Sequence, residues 1–275
     1  MHQSPLLFLI RQEYASRYQT EYHPYQRTMT EQLYSPVHPV PRVFAGLLTD
    51  LDNTLYDFAA AQEEACRAVI RIAGRGDIEG LIRAFLFSPQ GVAGPEPVRE
   101  YLRCQGIEDE GIILSAMSGY ETVKREAIIP FPGVVETLIL IHTAGIQIGA
   151  VTNASAAHAR ERLGRIGVLD LFSTLVSPDT SGLKKPDPAV FLRAAISLGL
   201  PATRICMIGD NLVNDIGPAQ ELGMFTVHAR YGDRLPPEFA GDAIPDLVAD
   251  SVSALIPVLG LSAHGSGSQG SHQQE

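Results

Sequence analysis

Cysteine is scarce in this chain. Cys66, Cys104 and Cys206 are the only three in 275 residues, with no CxxC pair and no histidine at ligand spacing. Neither a disulfide framework nor a zinc knuckle is supported, and a reducing, cytoplasmic setting is expected. Long hydrophobic runs are lacking too. The candidate nearest the N-terminus, Pro5 to Ile10, is too short for a membrane span or a signal-peptide core, and no small-residue cleavage site follows it. Neither a membrane segment nor a secretion signal is read. Positive charge is in deficit, with 21 basic against 31 acidic side chains and a net charge of −10. That balance excludes generic binding to a nucleic acid polymer or an anionic membrane, which both need clustered cations, so any phosphate must be held by a local site. The 25 glycines and 19 prolines fall well short of the roughly 25–30% that marks low complexity, and 45% hydrophobic residues suit one large folded domain or two modest ones.

What is present is an alternation. Apolar runs rich in branched residues, Phe44 to Leu48, Ile146 to Val151, Leu175 to Val176, Ile205 to Ile208 and Phe225 to Val227, read as strands buried on both faces. Helical patterns separate them at Val134 to Thr143, Ala156 to Ile166, Pro188 to Leu198 and Leu212 to Leu222, the third opened by Asp187 as N-cap with Pro188 at the first helical position. Strand and helix in turn predict an α/β fold with a doubly wound parallel sheet. Between Asp57 and Pro130 the periodicity is helical throughout, far more than one crossover helix requires. An inserted all-helical domain over 57–130 is expected, with helices near Ala59 to Ala73, Ile78 to Phe87, Pro95 to Cys104 and Glu108 to Glu126. The core domain then comprises 43–56 and 131–260.

The two ends read differently. Residues 1–42 hold Tyr14, Tyr18, Tyr22, Tyr25 and Tyr34 and close on a segment with Pro36, Pro39 and Pro41, the composition of an extension and linker. Residues 1–28 are expected to be dispensable, Met29 being an alternative start; the competing reading places Tyr14, Tyr18, Tyr22 and Tyr25 on one face of a docked helix. Residues 261–275 are mainly Ser, Gly, His and Gln and predict a disordered tail. Gly265, Gly267 and Gly270 fit a dinucleotide-binding GxGxxG spacing, but no strand precedes them and no helix pattern follows.

Ligand sites of open parallel sheets lie beyond the carboxyl ends of the strands. Asp50-Leu51-Asp52-Asn53-Thr54 follows the first run, Thr152-Asn153 the second, and Gly209-Asp210 with Asp215 the fourth, while Lys184-Lys185-Pro186 precedes the helix at Asp187. A DxD pair arises by chance roughly 0.7 times in such a chain, but a GDxxxxD pattern only roughly 0.07 times. Carboxylates crowded at strand ends repel one another unless a hard cation sits among them, and oxygen ligands suit Mg2+. One Asp can then attack phosphorus while a second, two residues on, handles the leaving-group proton. Lys, hydroxyl and backbone N–H groups meet the remaining phosphoryl charge.

Taken together, Asp50-Leu51-Asp52-Asn53-Thr54-Leu55, Val151-Thr152-Asn153, Gly182-Leu183-Lys184-Lys185-Pro186-Asp187-Pro188 and Gly209-Asp210 with Asp215 resemble the four ordered motifs of the haloacid dehalogenase-like hydrolases. The match spans about Phe44 to Val248. The resemblance implies a Rossmannoid core, Asp50 as nucleophile forming an aspartyl-phosphate, and Asp52 as general acid and then base. It implies that Thr152, Asn153 through its backbone, and Lys185 bind the phosphoryl group, and that Asp50, the Asp52 carbonyl, Asp210 and Asp215 serve an Mg2+ site. The insert becomes a helical cap. Dehalogenases and phosphonate-cleaving members lack the second Asp, so Asp52 points to phosphomonoesters, and Asn53-Thr54-Leu55-Tyr56 is similar to the first motif of pyrimidine-nucleotide phosphatases.

The implied partner is a small phosphorylated metabolite, a nucleoside monophosphate or a sugar phosphate. Three other readings stay open: a phosphomutase of the same fold, a catalytically silent phosphate-binding or regulatory relative, and a receiver-like module, which the length between Asp50 and Thr152 disfavours. Asp187 is expected to be a helix cap, Lys184 a solvated neighbour, Cys206 a core residue, and His142, His158 and His228 structural. The basic residues of the insert, Arg67, Arg71, Arg75, Arg83, Arg99, Arg103, Lys124 and Arg125, are read mainly as solvated helix faces.

Overall fold

The computed structural model describes residues 44–88, 94–235 and 241–262. The expectations for residues 1–42, with their tyrosines, prolines and Met29, and for the glycine pattern of the tail, lie outside the described residues.

Six parallel strands form one sheet: β1 (Gly46–Thr49), β2 (Gln147–Val151), β3 (Phe172–Val176), β4 (Ile205–Gly209), β5 (Phe225–Ala229) and β6 (Leu247–Ala249), in the spatial order β3-β2-β1-β4-β5-β6. The chain therefore builds outward from β1 in one direction and then returns to build outward in the other, so the order reverses at β1 and β4. Alternation in β1 sends Leu47 into a core with Ile148, Cys206 and Ile208, and Leu48 into a second core with Val151, Met207 and Phe191. Register then places the chemistry. Thr49 pairs with Ala150 on one side and Ile208 on the other, so Asp50, Thr152 and Asp210 leave the sheet at the same edge.

Four helices follow β1: α1 (Phe58–Ala73), α2 (Ile78–Phe87), α3 (Glu96–Cys104) and α4 (Glu110–Glu126). Asp57, Asp77 and Asp109 cap three of them through bonds to Ala60, Gly80, and Gly111 with Ile112. These helices bury a hydrophobic cluster of their own, including Cys66, Val69, Phe85, Leu102 and Tyr120. Tyr56 marks the way in and out, bridging to Asp52 and to Pro130, while the Phe131 amide donates to the Leu55 carbonyl at 2.9 Å.

The layers of the sheet are completed by α5 (Val134–Thr143), α6 (Ala156–Arg165), α7 (Pro188–Leu198) and α8 (Gly217–Glu221). Asp187 caps α7 through the Ala189 amide at 2.9 Å, as its sequence context predicts. One expectation needs correction, and one strand was missed. The helix expected over Leu212 to Leu222 is a π-helical turn, Leu212–Ile216, followed by the short α8. Pro218 has no N–H to continue an upstream ladder, and Asn211 caps the turn at Val213 and Asn214. Strand β6 went unpredicted because three residues are too few to make an apolar run.

Candidate active site

Asp50 is the first residue beyond β1, buried, its amide held by the Ile208 carbonyl at 2.9 Å. The Lys185 ammonium reaches it from the loop before α7, with Nζ 2.5 Å from Asp50 Oδ1 and 2.7 Å from Asp215 Oδ1. Thr54 closes the other side. Its hydroxyl lies 3.3 Å from Asp50 Oδ2 and 3.2 Å from Asp210 Oδ1, and it accepts from the Asp210 amide at 3.1 Å. One carboxylate oxygen from each of Asp50, Asp210 and Asp215 lies within 4.8 Å of the other two.

Three carboxylates against one ammonium leave excess negative charge in a buried space. Burial raises the Asp50 carboxyl to about 7 against the pull of Lys185, with Asp215 and Asp52 adding to the rise. Desolvation, then Asp50 and Asp215, hold Asp210 well above the usual carboxylate range. Burial works against the Lys185 charge, but Asp215 and Asp50 outweigh it and keep the ammonium above its ordinary value. An all-oxygen set with unbalanced negative charge fits a hard divalent cation such as Mg2+, and Asp50, Asp210 and Asp215 are the side chains here that could hold one.

The backbone around these groups admits little variation. A Cβ at Gly209 would stand 2.5 Å from the Asp215 carboxyl carbon, so the glycine of the Gly-Asp pair is what lets Asp215 fold back under the strand end. Asp215 Oδ2 then accepts from the Asn211 amide at 3.1 Å. A Cβ at Gly232 would lie 1.6 Å from the Asn53 carbonyl oxygen, which shows how tightly the loop after β5 clasps the loop after β1. Tyr231 strengthens the clasp, its hydroxyl donating to the Thr54 carbonyl at 2.8 Å. His228 has a structural role: Nε2 lies 3.1 Å from the Asp210 carbonyl oxygen and 3.0 Å from Asp233 Oδ2.

Asp52 stands apart from this cluster. Its carboxylate takes Arg162 Nη1 at 2.7 Å on both oxygens and the Tyr56 hydroxyl at 2.8 Å on Oδ1. Thr152 is buried at the end of β2, and its hydroxyl accepts from the Ala154 amide at 3.1 Å. The Asn153 side chain grips the Lys185 backbone, Oδ1 accepting from its amide at 2.8 Å and Nδ2 donating to its carbonyl at 3.1 Å. Lys184 is exposed and Cys206 fully buried.

Several participants carried no role in the sequence reading. Thr54 lay inside a motif but was given no role of its own. Arg162 had a readable signal, since it falls on the apolar stripe of α6 with Ala159 and Leu163, where a guanidinium must find an anion. Of the insert's basic residues, Arg67, Arg71, Arg83, Arg99 and Arg103 pair with glutamates along the helix surfaces. Lys124 departs from the solvated reading: it is buried, 2.8 Å from Glu121 and 4.4 Å from the centre of the Tyr120 ring.

Residues 44–223 match the family model described as haloacid dehalogenase-like hydrolase. The glyceraldehyde 3-phosphate phosphatase of Methanopyrus kandleri is 31% identical over 228 residues, covering 78% of this chain and 96% of that protein. The phosphoglycolate phosphatase of Salmonella typhimurium is 31% identical over 242 residues, covering 78% and 92%. Among solved structures, the magnesium-bound YfnB of Bacillus subtilis superposes with a TM-score of 0.61 at 21% identity over 79% of this chain and 99% of that one, a likeness of fold.

Proposed function

The chain belongs to the haloacid dehalogenase-like hydrolases, and on that premise we propose that it is a Mg2+-dependent phosphomonoester hydrolase of small phosphorylated metabolites working through an aspartyl-phosphate on Asp50. The observation that carries this reading is the convergence of Asp50, Asp210, Asp215 and Lys185 on one strand edge. Mg2+, held by Asp50, Asp210, the Asp52 carbonyl and the supporting Asp215, would neutralise phosphoryl charge as it meets a carboxylate nucleophile.

In the first half-reaction an Asp50 carboxylate oxygen bonds to phosphorus, the ester P–O bond breaks, and the Asp52 proton passes to the leaving alkoxide. In the second, a water oxygen bonds to phosphorus, its proton passes to the Asp52 carboxylate, and the P–O bond to Asp50 breaks to release phosphate. Lys185, the Thr152 hydroxyl and the Asn153 amide bind the phosphoryl oxygens. The Asn153 side chain serves this indirectly through the Lys185 backbone. Substrates of the size that the named relatives hydrolyse, together with nucleoside monophosphates and sugar phosphates, are the class to examine. Three free thiols suit a cytoplasmic enzyme, and no helix among the described residues is long and apolar enough to cross a membrane.

Phosphate release across a panel of such metabolites tests the reading: turnover is expected with Mg2+ and not in excess chelator, and undiminished turnover in chelator overturns the mechanism. A phosphomutase of the same fold would convert a sugar phosphate to its isomer in place of releasing phosphate. Beryllium fluoride with Mg2+, a mimic of the aspartyl-phosphate, is expected to raise the melting temperature of the wild type but not of Asp50→Ala. No shift, or an equal one in both, counts against a formed phosphoryl site.

The helices α1–α4 sit between the first two motifs and carry their own core, which suits a cap that closes over the site and excludes water. Exchanging residues 57–129 for the corresponding insert of a related phosphatase is expected to change the substrate profile while hydrolysis of p-nitrophenyl phosphate persists. An unchanged profile would place specificity in the core.

A further inference from the structure

Arg162 is an awkward residue for its position. Its helix face is otherwise apolar, its side chain is 6% exposed, and burying a guanidinium with a carboxylate is often no more stabilising than a well-packed hydrophobic pair. The contacts around it are specific. Nη1 lies 2.7 Å from both Asp52 oxygens, and Cζ sits 4.2 Å from the centre of the Phe58 ring, on the first residue of α1. Tyr56, fully buried at the point where the chain leaves for the insert, completes the set with its 2.8 Å bond to Asp52 Oδ1.

We propose that Arg162 is the positioning residue of the reaction's acid–base carboxylate, the guanidinium and the Tyr56 hydroxyl together fixing where Asp52 stands. Asp52 lies on an irregular loop, and a carboxylate there with free torsions would sample many orientations, whereas one bonded from two directions has few. Arg162 itself is held by the Phe58 ring and by its helix. That helix is further tied to the insert, since Arg165 Nη2 donates to the Glu126 carbonyl at 2.5 Å and Arg125 pairs with Glu161 at 3.7 Å. The helix that begins just beyond the Thr152-Asn153 loop thus also controls the group that moves the proton. Arg162 neither donates nor accepts that proton; it acts through Asp52. The inference rests on the phosphatase reading above.

Leaving-group dependence tests it. An alkyl phosphate needs its leaving oxygen protonated, while the p-nitrophenolate of p-nitrophenyl phosphate leaves with little help, so a misplaced acid costs the first far more. Arg162→Met is expected to lower the ratio of alkyl to p-nitrophenyl kcat/KM, which reads the phosphoryl-transfer step to Asp50 and not the shared hydrolysis of the aspartyl-phosphate, by about 10-fold or more, with Arg162→Lys intermediate. The double variant Asp52→Asn/Arg162→Met is expected to turn over no more slowly than Asp52→Asn, because Arg162 acts through the carboxylate already removed. Equal losses of kcat/KM on both substrates, no loss on either, or additive losses in the double variant overturn the proposal. Should Arg162→Met fail to fold, Arg162→Lys is read by the same ratio, and an unchanged ratio there overturns it equally. A wild type that releases phosphate from neither substrate overturns the phosphatase reading itself, and the proposal with it.

Discussion

Replacing Asp50 with asparagine is expected to abolish phosphate release while leaving the protein at least as heat-stable as the wild type in metal-free buffer. The two halves of that expectation have different causes. Turnover ends because an amide is a poor nucleophile toward phosphorus, and no other carboxylate stands directly after β1 to replace it. Stability holds because the substitution removes one of three carboxylates that each bring an oxygen within 4.8 Å of the other two around a single ammonium. Lys185 keeps its 2.7 Å partner Asp215, so no buried charge is orphaned. Phosphate assays beside a melting curve check both at once. Substantial turnover in Asp50→Asn would sink the nucleophile assignment, and a large fall in melting temperature would show that the Asp50–Lys185 pair is a structural strut.

Asp52→Asn is expected to cost at least roughly 10^2-fold in turnover, the lower end of what general acid–base catalysis supplies. It should also do what Asp50→Asn does not, lowering the melting temperature, because the buried Arg162 guanidinium loses its charge partner. Both half-reactions need Asp52, as the acid in the first and as the base that takes the water proton in the second, and the second has no good leaving group to compensate for its loss. With p-nitrophenyl phosphate the variant is therefore expected to release a burst of nitrophenol near one equivalent per enzyme, followed by slow turnover as the aspartyl-phosphate waits for water. Rapid-mixing kinetics detect it. Wild-type turnover in Asp52→Asn, on alkyl and aryl esters alike, would remove this residue from the proton-transfer role.

These expectations were legible to different depths in the chain itself. The order of apolar runs and helical patterns was enough for a parallel α/β sheet with a helical insert, since each element is decided by its own periodicity and end signals, as where Asp187-Pro188 opens α7. The positions of Asp50, Thr152, Lys185, Asp210 and Asp215 were legible as well, because each stands at the end of an element, and strand ends in an open sheet share an edge. What no local pattern determines is which side chains then meet. Thr54 bonds to Asp210 across 156 positions and Arg162 to Asp52 across 110, contacts that exist only once sheet order puts β1 between β2 and β4 and register aligns their ends. Lys124 and Arg162 both look like ordinary charges on helices until packing buries them, and the π-helical turn that sets Asp215 against Gly209 appears in the sequence as an unremarkable helix start. Residue type and periodicity act over a few positions and fix the elements; burial, charge pairing and the direction of a catalytic side chain depend on neighbours far off in the chain, which only the folded sheet supplies.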